Sequence, residues 1–445
     1  MKILHYFLGF PPYRSGGLTK YSMDLMVAQV QRGHTVMALW PGMMGFEKHK
    51  TAFRRHRAVD GIESFELINP LPVPLDEGIT DVDAYTVSGN RSAYLAFLRR
   101  IAPDAIHIHT LMGLHREFLE AAETLSIRTV FTTHDYFGLC PKVTMYRDGK
   151  ACRDDHGCED CGGCNARALS LTKIRLLQSP LYRQLKNMPL VKLLRKQHRQ
   201  NFFEETAESA GTPMAHTAAQ YRRLREFYID MLSRIDVIHF NSTLAQEVYT
   251  RFLTPKNMRM INITHRDIAD RRFGEHHDCE VLRIVYLAPP KPFKGYGVLK
   301  KALDELWEQG KRDFELHLFY PLANPAPYMR VHEEGFAYEQ MPQLFADADV
   351  LFAPSLWYET FGFTVLEAVS HGVPVVVSKN VGAKDVVGSG GILVEPGDHE
   401  AIMEIVRDLT PQRLEQLRRN IQQECRVVLW EDFLNENDKL YSDSL

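Results

Sequence analysis

Short apolar runs alternate with amphipathic stretches along most of this chain. Residues 3–8, 34–40, 105–109, 129–133 and 237–240 are apolar runs of strand length and predict buried parallel strands. A helix beginning near Leu18 buries Leu25, Val27 and Val30 at helical spacing, and helices follow at 91–101 and 221–232. Residues 60–74 read as another strand region running into a proline-rich turn. Residues 257–273 read as a last strand and a linker. A second alternation then begins, with strands at 282–287, 315–320, 350–353, 375–377 and 390–394. Its helices fall at 298–307, 339–346 and 363–370, with more helix towards residue 441. The pattern predicts an α/β protein of two doubly wound, Rossmann-like domains, 1–272 and 273–429.

Composition narrows the classes. A chain of 445 residues with 45% apolar residues easily supplies two cores. A formal charge of −3 gives no ground for a nucleic-acid binder. Residues 1–9 reach Pro11 and Pro12 too soon for a signal peptide and read as a core strand. No apolar run approaches the roughly 20 residues that span a bilayer. The expected location is cytoplasmic, with contact at the inner membrane face left open.

Residues 347–378 carry the clearest chemistry. The strand 350–353 ends at Pro354 and Ser355, an aromatic turn follows, and a helix opens at Phe363. Glu359 stands at the carboxyl end of the strand, where open α/β sheets bind ligands. Gly362 permits close approach to the backbone, and the helix start offers free N–H groups to phosphate or sugar oxygens. Glu367, eight positions after Glu359, is placed to accept hydrogen bonds from a diol. Taken singly, these acids also read as a surface-loop acid and a solvated helix position.

The stretch PSLWYETFGFTVLEAVSHGVPVVVS resembles the signature of the retaining glycosyltransferases of family 4, the glycosyl-group-1 type with the GT-B fold. By that resemblance Glu359 contacts the donor sugar, Glu367 binds the nucleotide ribose, and the Phe361 and Gly362 amides lie near the donor. It implies further that Gly16 and Gly17, between strand one and its helix, face the donor diphosphate. Lys294 would neutralise the phosphates and His134 would contact the donor sugar. The family's arginine five residues before that lysine is Pro289 here, and Lys291 stands in for it as a point charge without the arginine fork. Residues 336–346 resemble the segment beside the base, and 430–445 the helix that crosses back to the first domain.

Two parallel strands end at His109 and at His134-Asp135, which places imidazoles at the crevice. His109 and Asp135 are expected on the acceptor side, although a structural role for His109 fits equally. Residues 140–232 depart from the family plan. Cys140, Cys152, Cys158, Cys161 and Cys164 cluster there, and such spacing suits structural zinc or an iron–sulfur cluster, or else free thiols. From residue 166 to 203 there is no acidic residue, and Arg167, Lys173, Arg175, Arg183, Lys186, Lys192, Arg195, Lys196 and Arg199 interleave with leucines. This segment reads as a basic amphipathic stretch for an anionic membrane or a phosphorylated acceptor, or as a helix with a solvated basic face.

The expected reaction is transfer of a sugar from a nucleotide-sugar donor to a hydroxyl of a glycan or lipid-diphosphate acceptor, with retention, in bacterial envelope polysaccharide or glycolipid synthesis. No second carboxylate stands as a nucleophile, so a front-face route is expected in which the leaving diphosphate takes the acceptor proton. No catalytic metal is called for. The rival readings are a GT-B sugar-nucleotide epimerase or phosphorylase and an inactive GT-B binding subunit, the latter suggested by Pro289.

Overall fold

The computed structural model describes residues 1–442 except 15, 46–49, 76, 154–156, 167, 180–181, 183–184, 186–187, 189–216, 275 and 277–279. Most of the basic, leucine-interleaved segment therefore lies outside the described residues, including Arg167, Arg183, Lys186, Lys192, Arg195, Lys196 and Arg199, and with it the membrane reading. Within it the short helix Leu171–Leu177 is described, with Ile174 buried and Leu176 and Leu177 exposed. No helix among the described residues is long and apolar enough to cross a membrane.

The first sheet has eight strands in the order Met258–Met260, Val237–Phe240, Arg128–Thr132, Ala105–Ile108, Lys2–Tyr6, Thr35–Pro41, Ile62–Ile68, Ala52–Val59. All its neighbours pair in parallel except the last two. The second sheet has six parallel strands ordered Met329–Val331, Phe314–Leu318, Leu282–Tyr286, Val350–Ala353, Val375–Ser378, Gly391–Val394.

Strand Ala52–Val59 was not expected. Its run Arg54-Arg55-His56-Arg57 is polar because the strand is a largely exposed sheet edge, with Phe53 packed on Phe97 of the helix Arg91–Ile101. The signal was the turn rather than the strand. Asp60 and Gly61 both hold positive φ, 51° and 80°, as a two-residue hairpin loop requires. Strand Met258–Met260 is the last strand expected within 257–273, and it pairs with Val237–Phe240 at the edge of the sheet.

The helix Gly17–Gln31 belongs to the first sheet, yet its Tyr21 and Leu25 share a buried cluster with Phe361, Val365 and Phe433. The terminal helix Trp430–Asp438 enters the same cluster through Phe433 and Leu434. The turn after it seats Leu440 and Tyr441 on Ile3, Ala105, Val130 and Val237. Two doubly wound layers thus meet along one apolar seam, with a cleft at their facing strand ends.

Candidate active site

Each sheet reverses its strand order once, and both reversals open towards the cleft. In the first sheet the switch lies between Lys2–Tyr6 and Ala105–Ile108; in the second it lies between Leu282–Tyr286 and Val350–Ala353. The loops leaving these strands carry Gly16-Gly17, His109, Lys294 and Glu359.

Lys294 and Glu359 meet. The Lys294 ammonium donates to Glu359 Oε1 at 2.5 Å, and the two side chains are 18% and 17% exposed. Ser355 donates to Glu359 Oε2 at 2.8 Å, and the ammonium also sits 5.2 Å above the Trp357 ring. Gly295 makes this approach possible. Its φ is +79°, and a Cβ there would run into the Pro354 carbonyl oxygen. Lys291 stands beside this pair, with its ammonium 5.3 Å over the Phe293 ring.

The loop 359–363 is held from both sides. Glu359 N–H donates to Asn380 O and Gly382 N–H to Glu359 O, which ties the loop to the segment after Val375–Ser378 as an isolated parallel bridge. From the other domain, Ser242 donates to Thr360 O at 2.6 Å, while Thr360 donates to His134 O at 3.0 Å. His134 is thereby tied to the segment that bears Glu359. Helix Phe363–Ser370 starts at Gly362, φ +103°, with no side-chain cap. Helix Gly17–Gln31 likewise starts uncapped from Gly16, φ +110°. The two starts are adjacent, since a Cβ on Gly17 would touch the Phe363 ring at 3.7 Å. Two sets of unpaired helical N–H groups and two positive helix ends converge there, an arrangement suited to a diphosphate.

Glu367 is not the solvated helix position considered above; it is 5% exposed. His265 Nε2 lies 3.1 Å from its Oε1, and the Tyr338 hydroxyl donates to the same oxygen. Burial and the nearby Glu367 charge push the Tyr338 phenol well up, so it stays a donor. Oε2 of Glu367 has no partner among the described residues and remains an acceptor for a diol.

The sequence reasoning missed four residues here. Tyr338 lay within the segment expected near the base, but nothing singled it out. His265, Ser355 and Tyr21 carried no periodic signal.

His109 is corrected by the structure. It is fully buried within the sheet and does not line the crevice. The strand run Ala105–Ile108 is covered on both faces, so the residue after it is enclosed as well. Its Nδ1 lies 3.4 Å from His134 Nε2, so it reaches the cleft only through His134. Burial pulls the His134 imidazole down to about 3, which leaves it neutral at physiological pH. Asp135 folds back on its own turn, accepting from Phe137 N–H at 2.8 Å, and burial pushes its carboxyl up to about 6.

Cys140, Cys152, Cys161 and Cys164 border one cavity of about 810 Å³, together with Tyr146, Arg147, Arg225 and, from the second domain, Tyr358 and Glu395. The hairpin Tyr146–Arg147 / Lys150–Ala151 brings Cys152 back towards Cys140. Cys158 lies behind, buried. Burial raises the Cys140 thiol to about 12. A closed zinc–thiolate tetrahedron, with Zn–S near 2.3 Å, needs sulfurs about 3.8 Å apart. Among the described residues no three of these sulfurs come within 4.8 Å of one another. Among the described residues only His5, His107 and His109 meet that distance, and hydrogen bonds occupy their ring nitrogens.

Comparison with known proteins bears on the family and the fold. The family described as glycosyl transferases group 1 matches residues 282–411, and the one described as glycosyltransferase family 4 matches residues 15–150. The chain is 25% identical over 243 residues to the MMP alpha-(1->4)-mannosyltransferase of Mycolicibacterium hassiacum, 49% of this chain and 57% of that one. It is 45% identical over 64 residues to the O-antigen chain mannosyltransferase B of Escherichia coli, 14% of this chain and 16% of that one. The matches thus span less than two thirds of these relatives' own lengths. Among solved structures, sucrose-phosphate synthase from Thermosynechococcus elongatus superposes with a TM-score of 0.56 at 16% identity, covering 99% of this chain and 98% of that one. HepE of Anabaena in complex with UDP and glucose gives 0.53 at 15% identity over the whole of both chains. At such identities these structures establish the fold alone.

Proposed function

The chain is a glycosyltransferase of the family 4 type with the GT-B fold, and from that premise we propose that it moves a hexose from a nucleotide-sugar donor to an acceptor hydroxyl with retention at the anomeric carbon. The observation that carries this reading is the Lys294–Glu359 pair beside two uncapped helix starts. A diphosphate entering there meets the Gly17 and Phe363 helix ends and takes over Lys294, with Lys291 as a second cation. Glu359, released from the ammonium, accepts hydroxyls of the sugar. Glu367 accepts from the ribose diol, with Tyr338 and His265 holding the carboxylate in place. His134 offers a neutral imidazole to the sugar from the other side of the cleft.

Among the described residues no second carboxylate is placed to form a glycosyl–enzyme bond, unlike the pair of a retaining hydrolase. The acceptor therefore attacks from the face that the diphosphate leaves. Its proton passes to a departing phosphate oxygen, while Lys294 and the helix ends stabilise the charge that develops. The cavity of about 810 Å³ beside Tyr358 is the seat proposed for the acceptor. Arg147 on its wall is paired with Asp148 and Asp160, while Arg225, Lys150 and Arg153 favour an acceptor with a phosphate, as in a lipid-diphosphate-linked glycan at the cytoplasmic membrane face. Envelope glycan or glycolipid synthesis fits this chemistry.

A thermal-shift screen with nucleoside diphosphates and nucleotide sugars tests the donor half, because a ligand that binds only the folded state raises its stability. Release of nucleoside diphosphate with and without lipid-linked acceptors tests the rest. Pro289, in place of a phosphate-binding arginine, favours one second reading, a chain that binds sugar nucleotides without transferring them. A thermal shift with no turnover on any acceptor supports that alternative. No shift with any nucleotide refutes both.

A further inference from the structure

Four strands of the first sheet carry a histidine inside or at the end of an apolar run: His5, His107 with His109, His134 and His239. Their side chains form one hydrogen-bonded chain. His134 Nε2 lies 3.4 Å from His109 Nδ1, and His109 Nε2 lies 3.0 Å from His5 Nδ1. His5 Nε2 meets Gln29 Oε1 at 2.7 Å, and the Gln29 amide donates to the Tyr441 hydroxyl oxygen at 3.0 Å. That hydroxyl lies 2.6 Å from His107 Nδ1, and His107 Nε2 lies 2.7 Å from Thr132 Oγ1. Thr132 Oγ1 is 2.9 Å from His239 Nδ1, and His239 Nε2 ends the chain 2.8 Å from the Ile261 carbonyl.

The Ile261 end fixes the direction of every hydrogen. Burial keeps each imidazole neutral at pH 7: His5 and His239 fall to about 4, His134 to about 3, and His107 and His109 well below their ordinary value. Each ring therefore has one donor and one acceptor nitrogen. A carbonyl oxygen can only accept, so His239 carries its hydrogen on Nε2. Its Nδ1 must then accept from the Thr132 hydroxyl, which leaves Thr132 oxygen to accept from His107 Nε2–H. His107 Nδ1 accepts from the Tyr441 hydroxyl, and the Tyr441 oxygen accepts from the Gln29 amide. Gln29 Oε1 accepts from His5 Nε2–H, His5 Nδ1 from His109 Nε2–H, and His109 Nδ1 from His134 Nε2–H.

The same assignment turns the Asn437 amide over. Its Oδ1 and the Tyr441 hydroxyl oxygen lie 3.1 Å apart, and its Nδ2 is buried without a partner. With the single phenol hydrogen given to His107, the turned amide donates through Nδ2 to the Tyr441 oxygen. The reverse polarity would set His239 Nε2 as an acceptor against the Ile261 carbonyl, which is unfavourable in the buried interior.

We infer that Gln29 and Tyr441 are positioning residues that act through this chain to hold His134 as the Nε2–H tautomer, with Nδ1 as its acceptor for a sugar hydroxyl. Nδ1 of His134 has no partner among the described residues. Tyr21, whose ring centre lies 4.6 Å from that of His134, and His109 and His239 are the titratable groups facing it, and all are neutral at pH 7. The tautomer assignment stands by itself; its consequence for transfer rests on the donor role proposed for His134.

Full-length protein labelled with ¹⁵N at histidine tests this through long-range ring correlations, which distinguish Nδ1–H from Nε2–H. The wild type is expected to show one tautomer, Nε2–H, at His5, His107, His109, His134 and His239 throughout pH 5–8. Tyr441→Phe removes the hydroxyl that donates to His107 and accepts from Gln29, so His134 is expected to become a mixture of tautomers. Gln29→Leu, read in the same way, covers the case in which the first variant does not fold. Loss of one hydrogen bond to the sugar should lower kcat/KM by about three- to tenfold. A wild-type His134 carrying its hydrogen on Nδ1 would overturn the inference, as would a pure Nε2–H tautomer that persists in both folded variants. Tautomer mixing with unchanged kcat/KM would leave the chain in place and refute only the donor role of His134.

Discussion

Glu359→Gln separates two consequences that would ordinarily move together. On the proposed reading Glu359 competes for the lysine that a diphosphate needs, since Lys294 donates to it at 2.5 Å with both side chains about four-fifths buried. Glutamine keeps the shape and an acceptor but removes the charge. A charge-assisted hydrogen bond contributes about 1.5–3 kcal/mol net, and a neutral replacement retains part of it. About 1 kcal/mol of restraint on Lys294 is released, so nucleoside diphosphate should bind about fivefold more tightly to the variant. Turnover should move the other way. A pre-organised acceptor of the sugar is weakened where charge develops, and removal of one such group typically costs about 10²–10³ in kcat. Isothermal titration with nucleoside diphosphates and a diphosphate-release assay measure the two effects on the same preparation. Weaker diphosphate binding in the variant would refute the competition argument. Unchanged turnover would remove Glu359 from the reaction.

Three further outcomes follow from other parts of the site. Glu367→Gln should abolish the preference for a nucleoside diphosphate over its 2′,3′-dideoxy analogue, measured by titration, because the buried carboxylate is the proposed acceptor for the diol; a preference that survives rules out that role. Gly295→Ala should lower stability by about 2 kcal/mol or more in urea unfolding and weaken diphosphate binding too, since φ is +79° and the Pro354 carbonyl occupies the space a Cβ needs. Asp135 is a buried acid raised from 3.8 to about 6, so folding opposes its ionisation. The resulting cost is absent below about pH 4, grows as pH rises through about 6, and is fully present above; Asp135→Asn should therefore gain up to about 3 kcal/mol over the wild type at pH 7.5 and little at pH 4 in urea titrations.

Much of the fold could be read from the sequence because its strands are covered on both faces. A strand with helices above and below must be apolar throughout, so runs such as 350–353 and 237–240 stand out without any tertiary knowledge. The helix 363–370 was also recovered, since Gly362 and Gly372 bracket it and its apolar positions recur at helical spacing. The edge strand Ala52–Val59 escaped for the opposite reason, as exposure on a sheet edge leaves no apolar pattern to detect.

Within the site, residue identity alone fixes which groups bear charge and which backbone positions are free of a Cβ: Lys294, Glu359, Glu367 and the glycines at two helix starts. How those groups are engaged is a matter of packing. That Glu359 holds Lys294, that Tyr338 and His265 hold Glu367, and that His109 lies beneath His134 all follow from contacts between residues 25 to 102 positions apart. Such contacts arise where two sheets turn their strand ends towards each other, and no local periodicity encodes them. The histidine chain makes the point most plainly. Polar residues within apolar runs are visible in the sequence, but the direction of their hydrogens depends on a carbonyl at Ile261 and a hydroxyl at Tyr441 that packing alone brings to the end and the middle of the same chain.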